Sequence, residues 1–192
     1  METINIILCG LGGQGILYMT KVLAQTALRN GWNIMGAETH GMAQRGGSVV
    51  SHLRIGEVES SLVRNGSAHF LLSLDLIEAY RNLPFLAPRS KIYVNAAPSL
   101  FPQTLVKKYL IKREIRFHSF DAYRIADELG APMSSNLSLL GFSSAFEKGP
   151  FSHESLISTI EKISPDRFKK SNLDVFNAGF EWGRKENLQG AR

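Results

Sequence analysis

The stretch Ile4-Asn5-Ile6-Ile7-Leu8-Cys9-Gly10-Leu11-Gly12-Gly13-Gln14-Gly15 decides the fold. Its first half is a short apolar run rich in β-branched residues and closed by glycine, the pattern of a strand buried in a parallel sheet. Its second half satisfies the Gly-x-Gly-x-x-Gly spacing. Ile16, Thr20, Leu23, Ala24 and Ala27 then recur at helical spacing until Asn30-Gly31 supplies a stop. In such a turn the first glycine allows the tight bend, the second lets a ligand approach the backbone, and the third lets the helix pack on the strand. The N–H groups at the helix start make an anion site, aided by a helix dipole contributing roughly 0.3–1 kcal/mol. The same turn can serve only to pack a helix closely on a sheet, and both readings stand at this point.

Working outward, residues 32–37 read as a second strand, which would make the first 37 residues a βαβ unit with a right-handed crossover. Residues 48–54 read as another strand, with Gly56-Glu57 as a hairpin turn into a strand over 58–63. Further strands are expected at 68–73, 91–95 and 115–120, with helices at 74–83, 103–110 and 122–129. After Phe120 the pattern turns helical, over 136–146, 154–163 and 173–186. The prediction is an α/β protein, with a Rossmann-like, mostly parallel sheet, helices on both faces and a helical C-terminal tail. No linker divides it, so residues 1–192 are read as one domain.

At 192 residues the chain is long enough to bury about 70% of its unfolded surface. Its composition, 44% hydrophobic and 20% charged, is that of a globular protein. The single cysteine, Cys9, excludes a disulfide framework, and it excludes an iron–sulfur cluster or thiolate zinc site built from this chain alone. The five histidines lack ligand spacing, so no metal site is expected. Lys plus Arg at 22 against Asp plus Glu at 17 gives a net +5, which favours phosphates or acidic partners. The charges are spread out, and the one dense cluster, Lys107-Lys108 to Lys112-Arg113, reads as a helix end, so no nucleic-acid partner is expected. Residues 3–20 carry no charge, yet glycines interrupt the run and Met1-Glu2 is not a basic leader. No membrane association is expected, and the chain reads as cytoplasmic.

A second segment carries chemistry: Glu38-Thr39-His40-Gly41-Met42-Ala43-Gln44-Arg45-Gly46-Gly47-Ser48. Three glycines within seven residues bar a stable helix and predict a loop. It gathers a titratable ring, an amide and a fork-shaped cation in His40, Gln44 and Arg45, either as solvated polar residues or as an anion-contacting loop clamped by Arg45. Glu38 also sits where a dinucleotide site places its ribose-binding acid, which keeps a stand-alone NAD(P)- or ATP-binding reading open. Cys9 reads as a core residue, His52 and His69 as structural histidines, and Ser134-Ser135-Asn136 as the cap of the helix that follows.

The two glycine motifs, together with Val49-Val50-Ser51-His52-Leu53-Arg54, Asn136-Leu137-Ser138-Leu139-Leu140-Gly141 and Asn177-Ala178-Gly179-Phe180, closely resemble the gamma module of the 2-oxoacid:ferredoxin oxidoreductases. The resemblance covers nearly the whole chain. It implies a subunit of a complex that oxidatively decarboxylates a 2-oxoacid, an aryl pyruvate, to an acyl-CoA and CO2 while reducing ferredoxin. Thiamine diphosphate, magnesium and 4Fe-4S clusters are then held by a larger partner subunit, and coenzyme A is the co-substrate. No catalytic residue is assigned to this chain, and a homodimer is plausible when it is isolated. The residues implied to bind cofactor or co-substrate are Gly10, Gly12, Gly13, Gln14, Gly15, His40, Gln44, Arg45, Gly46, Gly47 and Asn136.

Overall fold

A computed structural model describes residues 3–41, 46–148 and 151–190. The chain packs as two compact units: residues 1–16 with 32–121, and residues 17–31 with 122–192. The first holds a six-stranded sheet in the order β2-β3-β1-β4-β5-β6. Its strands are β1 (Ile4–Leu11), β2 (Ile34–His40), β3 (Ser48–Ile55), β4 (Ala68–Ser73), β5 (Leu86–Asn95) and β6 (Arg116–Phe120). The pairings of β1 with β4, β4 with β5 and β5 with β6 are parallel, whereas β3 runs antiparallel to both β1 and β2.

Burial explains that order. β1 is buried from Asn5 to Gly10 and β3 is buried at Val49, Ser51, His52, Leu53 and Ile55, so both occupy interior positions. β2 is largely exposed, carrying Gly36, Glu38 and Thr39, and it takes the edge. The expected crossover that would set β2 beside β1 is therefore replaced by a β2–β3 hairpin, with β3 inserted between them. The expected hairpin into a strand over 58–63 is also absent. That polar stretch is held by side chains instead: Arg54 donates from Nη1 to the Ser60 carbonyl and hydroxyl at 2.9 and 2.6 Å, and Thr3 donates to the Glu57 carbonyl at 2.7 Å.

Two helices belong to the sheet unit, α2 (Leu76–Asn82) and α3 (Thr104–Lys112). α2 is capped by Asp75, whose Oδ1 accepts the Ile77 and Glu78 N–H groups at 2.8 and 3.0 Å. It packs on β1, β4 and β5, over a core that includes Ile7, Leu71, Ile92 and Val94. In β3, His52 is buried, and its Nδ1 accepts the Val63 N–H at 3.2 Å.

The second unit contains α1 (Ile16–Arg29, from Leu17 on), α4 (Ala122–Glu128), α5 (Ser135–Ser144), α6 (His153–Ile163) and α7 (Asp166–Gly190). All ten residues of α5 are buried, including its serines, of which Ser143 and Ser144 donate to the Leu140 and Gly141 carbonyls at 2.8 and 2.6 Å. α5 meets α7 through reciprocal glycines. A Cβ on Gly141 would lie 2.0 Å from the Phe176 carbonyl oxygen, and one on Gly179 would lie 2.0 Å from that of Ser138. α1 joins the unit through Tyr18 to Ser164 (2.8 Å), Thr26 to Thr159 (2.8 Å) and Arg29 to the Ser158 carbonyl (2.9 Å). Among the described residues, no helix is long and apolar enough to cross a membrane.

Two predictions follow from this packing. Gly179→Ala gains helix propensity but drives a methyl into backbone, so thermal melting should fall by about 2–12 °C, corresponding to about 1–3 kcal/mol of overpacking. The second concerns pH, because burial holds the His52 imidazole below its ordinary value of 6.5. The unfolded chain then takes up a proton that the folded chain refuses, so this contribution to stability is complete above pH 6.5 and is lost as the pH falls through it. Urea titrations at about pH 7.5 and about pH 5.5 should show a smaller acid-side loss in His52→Gln than in the unaltered chain.

Candidate functional site

The glycine turn follows the C-terminal end of β1, where the register pairs Gly10 with Val49 and Leu11 with Ser48. Inside the turn, Gln14 braces the backbone: its Oε1 accepts the Leu11 N–H at 2.7 Å while its own N–H donates to the Leu11 carbonyl at 3.1 Å. Gly10 and Gly13 are glycines for different reasons. A Cβ on Gly10 would meet Gln14 Oε1 at 2.7 Å and the Leu74 Cβ at 3.1 Å, so Gly10 packs. Gly13 has φ +99° with nothing within 4 Å of a Cβ, so its constraint is conformation and its outer side is open.

The two motifs meet through main chain. Gly12 N–H donates to the Gly47 carbonyl at 2.8 Å, and Gly46 N–H donates back to the Gly12 carbonyl at 3.2 Å. This clasp ties Gly46 and Gly47, just before β3, to the turn, and Gly41 N–H extends the hairpin ladder to the Ser48 carbonyl at 2.9 Å. The loop predicted from Glu38 begins later than expected, since Glu38, Thr39 and His40 complete β2. Gln44 and Arg45 lie outside the described residues.

A buried acid anchors the clasp from beneath. Glu78 on α2 is 1% exposed; its Oε2 accepts the Ser48 hydroxyl at 2.7 Å and its Oε1 pairs with Arg81 Nη1 at 2.6 Å. Ser48 directly follows Gly46-Gly47, so the carboxylate fixes the end of the loop. Neither residue was singled out from the sequence. The signal available was Asp75-x-x-Glu78, a capping-box spacing in which Asp75 does cap the helix while Glu78 turns to Ser48 instead.

The remaining candidates take structural places. Cys9 is buried, with Sγ 3.2 Å from the Ser73 hydroxyl, and burial pushes its thiol up to about 12, which leaves it unreactive. His69 accepts the Asn5 N–H on Nδ1 at 2.9 Å. In the helical unit, Asn136 lies in the first turn of α5 at 3% exposure, and its Oδ1 accepts the Leu137 N–H at 2.8 Å. Ser134 occupies the N-cap without a capping bond, its hydroxyl reaching Asn172 Oδ1 at 2.9 Å. His153 has Asn177 Oδ1 at 2.8 Å and stacks on Phe176.

Cofactor fit follows from these geometries. Among the described residues, no three His, Cys, Asp or Glu side chains gather where they could hold a metal ion, and the one thiol is buried and protonated. An iron–sulfur cluster or a divalent-metal centre does not fit this chain's described residues. The dinucleotide geometry fails as well. Glu38 lies on edge strand β2, opposite Ser51, and with β3 between them β2 is about 10 Å from β1 at ordinary strand spacing.

The parallel half of the sheet begins at β1, a glycine turn follows that strand, and the antiparallel β2–β3 pair is clasped onto the turn. The chain belongs to the pyruvate ferredoxin/flavodoxin oxidoreductase family, whose model matches residues 5–182. It is 35% identical over 187 residues to the indolepyruvate oxidoreductase subunit IorB of Methanothermobacter thermautotrophicus, covering 92% of this chain and 95% of that protein. The Archaeoglobus fulgidus protein of the same name is 32% identical over 188 residues, covering 92% and 94%. The fold matches the gamma subunit of a keto/oxoacid ferredoxin oxidoreductase from Geobacter sulfurreducens with TM-score 0.74 at 21% identity, over 94% of this chain and 98% of that one. It also matches 32% of a 2-oxoglutarate:ferredoxin oxidoreductase chain from Magnetococcus marinus, with TM-score 0.77 at 16% identity over 96% of this chain; that structure has 2-oxoglutarate, coenzyme A and succinyl-CoA bound.

The Ser48–Glu78 bond should be measurable on the isolated chain. Ser48→Ala removes the hydroxyl from a buried carboxylate, and urea unfolding should show a loss of about 1.5–3 kcal/mol, the range for a charged hydrogen bond.

Proposed function

We propose that this chain is the small subunit of a complex that oxidatively decarboxylates an aryl pyruvate, indolepyruvate, to an acyl-CoA and CO2 and passes the electrons to ferredoxin. The observation that carries the reading is the clasp between Gly12 and Gly46-Gly47. It joins the two motifs into one surface at the end of β1, in a chain alike along nearly its whole length to the indolepyruvate oxidoreductase subunits. The family match runs across both compact units, which supports treating residues 1–192 as one functional domain. A larger partner subunit holds thiamine diphosphate, magnesium and 4Fe-4S clusters, which supply the carbon-bond cleavage and the electron path. The complex is cytoplasmic.

In this reading the clasped turn and its loop contribute backbone N–H groups and the Arg45 guanidinium toward the phosphates of coenzyme A. Gly12, Gly13, Gly15, Gly46 and Gly47 let the ligand reach main chain, while Gly10 and Gln14 hold the turn's shape. His40 and Gln44 are assigned to ligand binding with the same segment, and Asn136 is assigned a binding role of its own in the complex. One charge-assisted bond contributes about 1.5–3 kcal/mol and the helix start up to about 1 kcal/mol, short of the roughly 8 kcal/mol that micromolar binding needs. The isolated chain therefore binds coenzyme A weakly, and the partner's wall strengthens the same electrostatics by excluding water.

Reconstitution with the larger subunit tests this. The complex should reduce viologen in the presence of indolepyruvate and coenzyme A, and the separated chains should not. Arg45→Ala should raise the KM for coenzyme A about 10- to 100-fold with assembly intact. An unchanged KM in the assembled variant refutes the anion site, and a larger subunit fully active alone refutes the subunit role.

A further inference from the structure

Charge is distributed unevenly over the fold. Residues 86–120, spanning β5, α3 and β6, carry seven lysines and arginines against Glu114 alone, a net +6. The whole chain carries +5, so everything outside this stretch sums to −1. What reads in the sequence as an ordinary basic helix end supplies four of those seven cations.

The same place exposes apolar side chains. α3 buries only Leu110, with Val106 packed partly against the core, while Leu105 is 81% exposed, Ile111 59% and Leu100, in the loop before the helix, 56%. Leu105, Lys108, Tyr109 and Lys112 follow i, i+3, i+4, i+7 spacing and share one exposed helix face. Arg116 on edge strand β6 adds another exposed charge in the same segment.

Resting on the functional reading above, we propose that the outer face of α3 is the docking surface for an acidic protein that binds and leaves: the electron acceptor of the complex. Three features select that occupant. Positive charge of this density calls for a carboxylate-rich surface and accelerates encounter with it. Lysines interleaved with the apolar residues are unlike the core of a permanent subunit interface, where lysine is depleted. A single nine-residue helix offers a footprint in the range of weak redox encounters, below about 1,200 Å². An anionic membrane is the competing occupant, and it enters as an outcome of the test.

The experiment uses the reconstituted complex carrying Lys108→Glu with Lys112→Glu, both at exposed positions, and compares an acidic ferredoxin with methyl viologen as acceptor. The KM for ferredoxin should rise about tenfold at low salt and its dependence on salt should flatten, while the viologen rate and the KM values for oxoacid and coenzyme A stay unchanged. Intact viologen reduction with an unaltered ferredoxin KM overturns the docking surface alone. An unaltered complex that shows no oxoacid-dependent viologen reduction overturns the functional reading and the docking proposal with it. Sedimentation of the unaltered complex, but not the variant, with phosphatidylserine vesicles at physiological salt would assign the face to a membrane and overturn the proposal.

Discussion

Two main-chain hydrogen bonds, between Gly12 and the Gly46-Gly47 pair, are the constraint on which the candidate site depends. They connect segments more than thirty residues apart in sequence, and neither involves a side chain that a sequence pattern could advertise. Glycine is favoured on both sides by conformation, since the turn takes positive φ at Gly13 and Gly15 and the loop does so at Gly46. Glu78 completes the arrangement: a carboxylate withdrawn from water is tolerable only with partners, and Ser48 and Arg81 provide them. The open side of Gly13 is thus presented by a surface braced at three points, by Gln14, by Gly47 and by Ser48.

Much of the fold was legible because its signals are local. The apolar run into the glycine turn gave β1 and α1, and β4 coincides with the run predicted at 68–73. α5 and α6 fall within one or two residues of expectation, while α7 begins earlier and runs longer than its apolar pattern, since its polar first turns are carried by ion pairs such as Lys170 with Asp174. Strand order was not legible, because it depends on which strand tolerates an edge. β2 and β3 look alike as short runs, and only the exposure that Gly36, Glu38 and Thr39 accept separates them. The false strand over 58–63 follows a plausible turn at Gly56-Glu57 but pairs with no neighbouring strand among the described residues, and Arg54 and His52 hold it by side chain.

The site was legible as two motifs and illegible as one surface. Spacing identified Gly10 to Gly15 and the loop to Gly47, but the bond between them and the acid beneath them are long-range facts. Basic residues on α3 were visible too, though their meaning was not: a helix end and a docking face have the same sequence, and they differ only in whether Leu105 and Ile111 turn inward or outward.

The helical unit is assembled from two separated parts of the chain, and this has a consequence for synthesis. α1 reaches its partners across long gaps: Arg29 meets Ser158 after 129 residues, and Tyr18 meets Ser164 after 146. At about 5–20 residues per second on a ribosome, α1 waits roughly 6–26 s after it is made before Ser158 exists to receive it. During that interval the buried face built on Met19, Val22, Leu23 and Ala27 has no complete helical unit to enter, while the sheet's strands from β2 to β6 are translated. The nascent chain is therefore most exposed to misassociation in its middle age, when the first helix has been made and its partners near Ser158 have not.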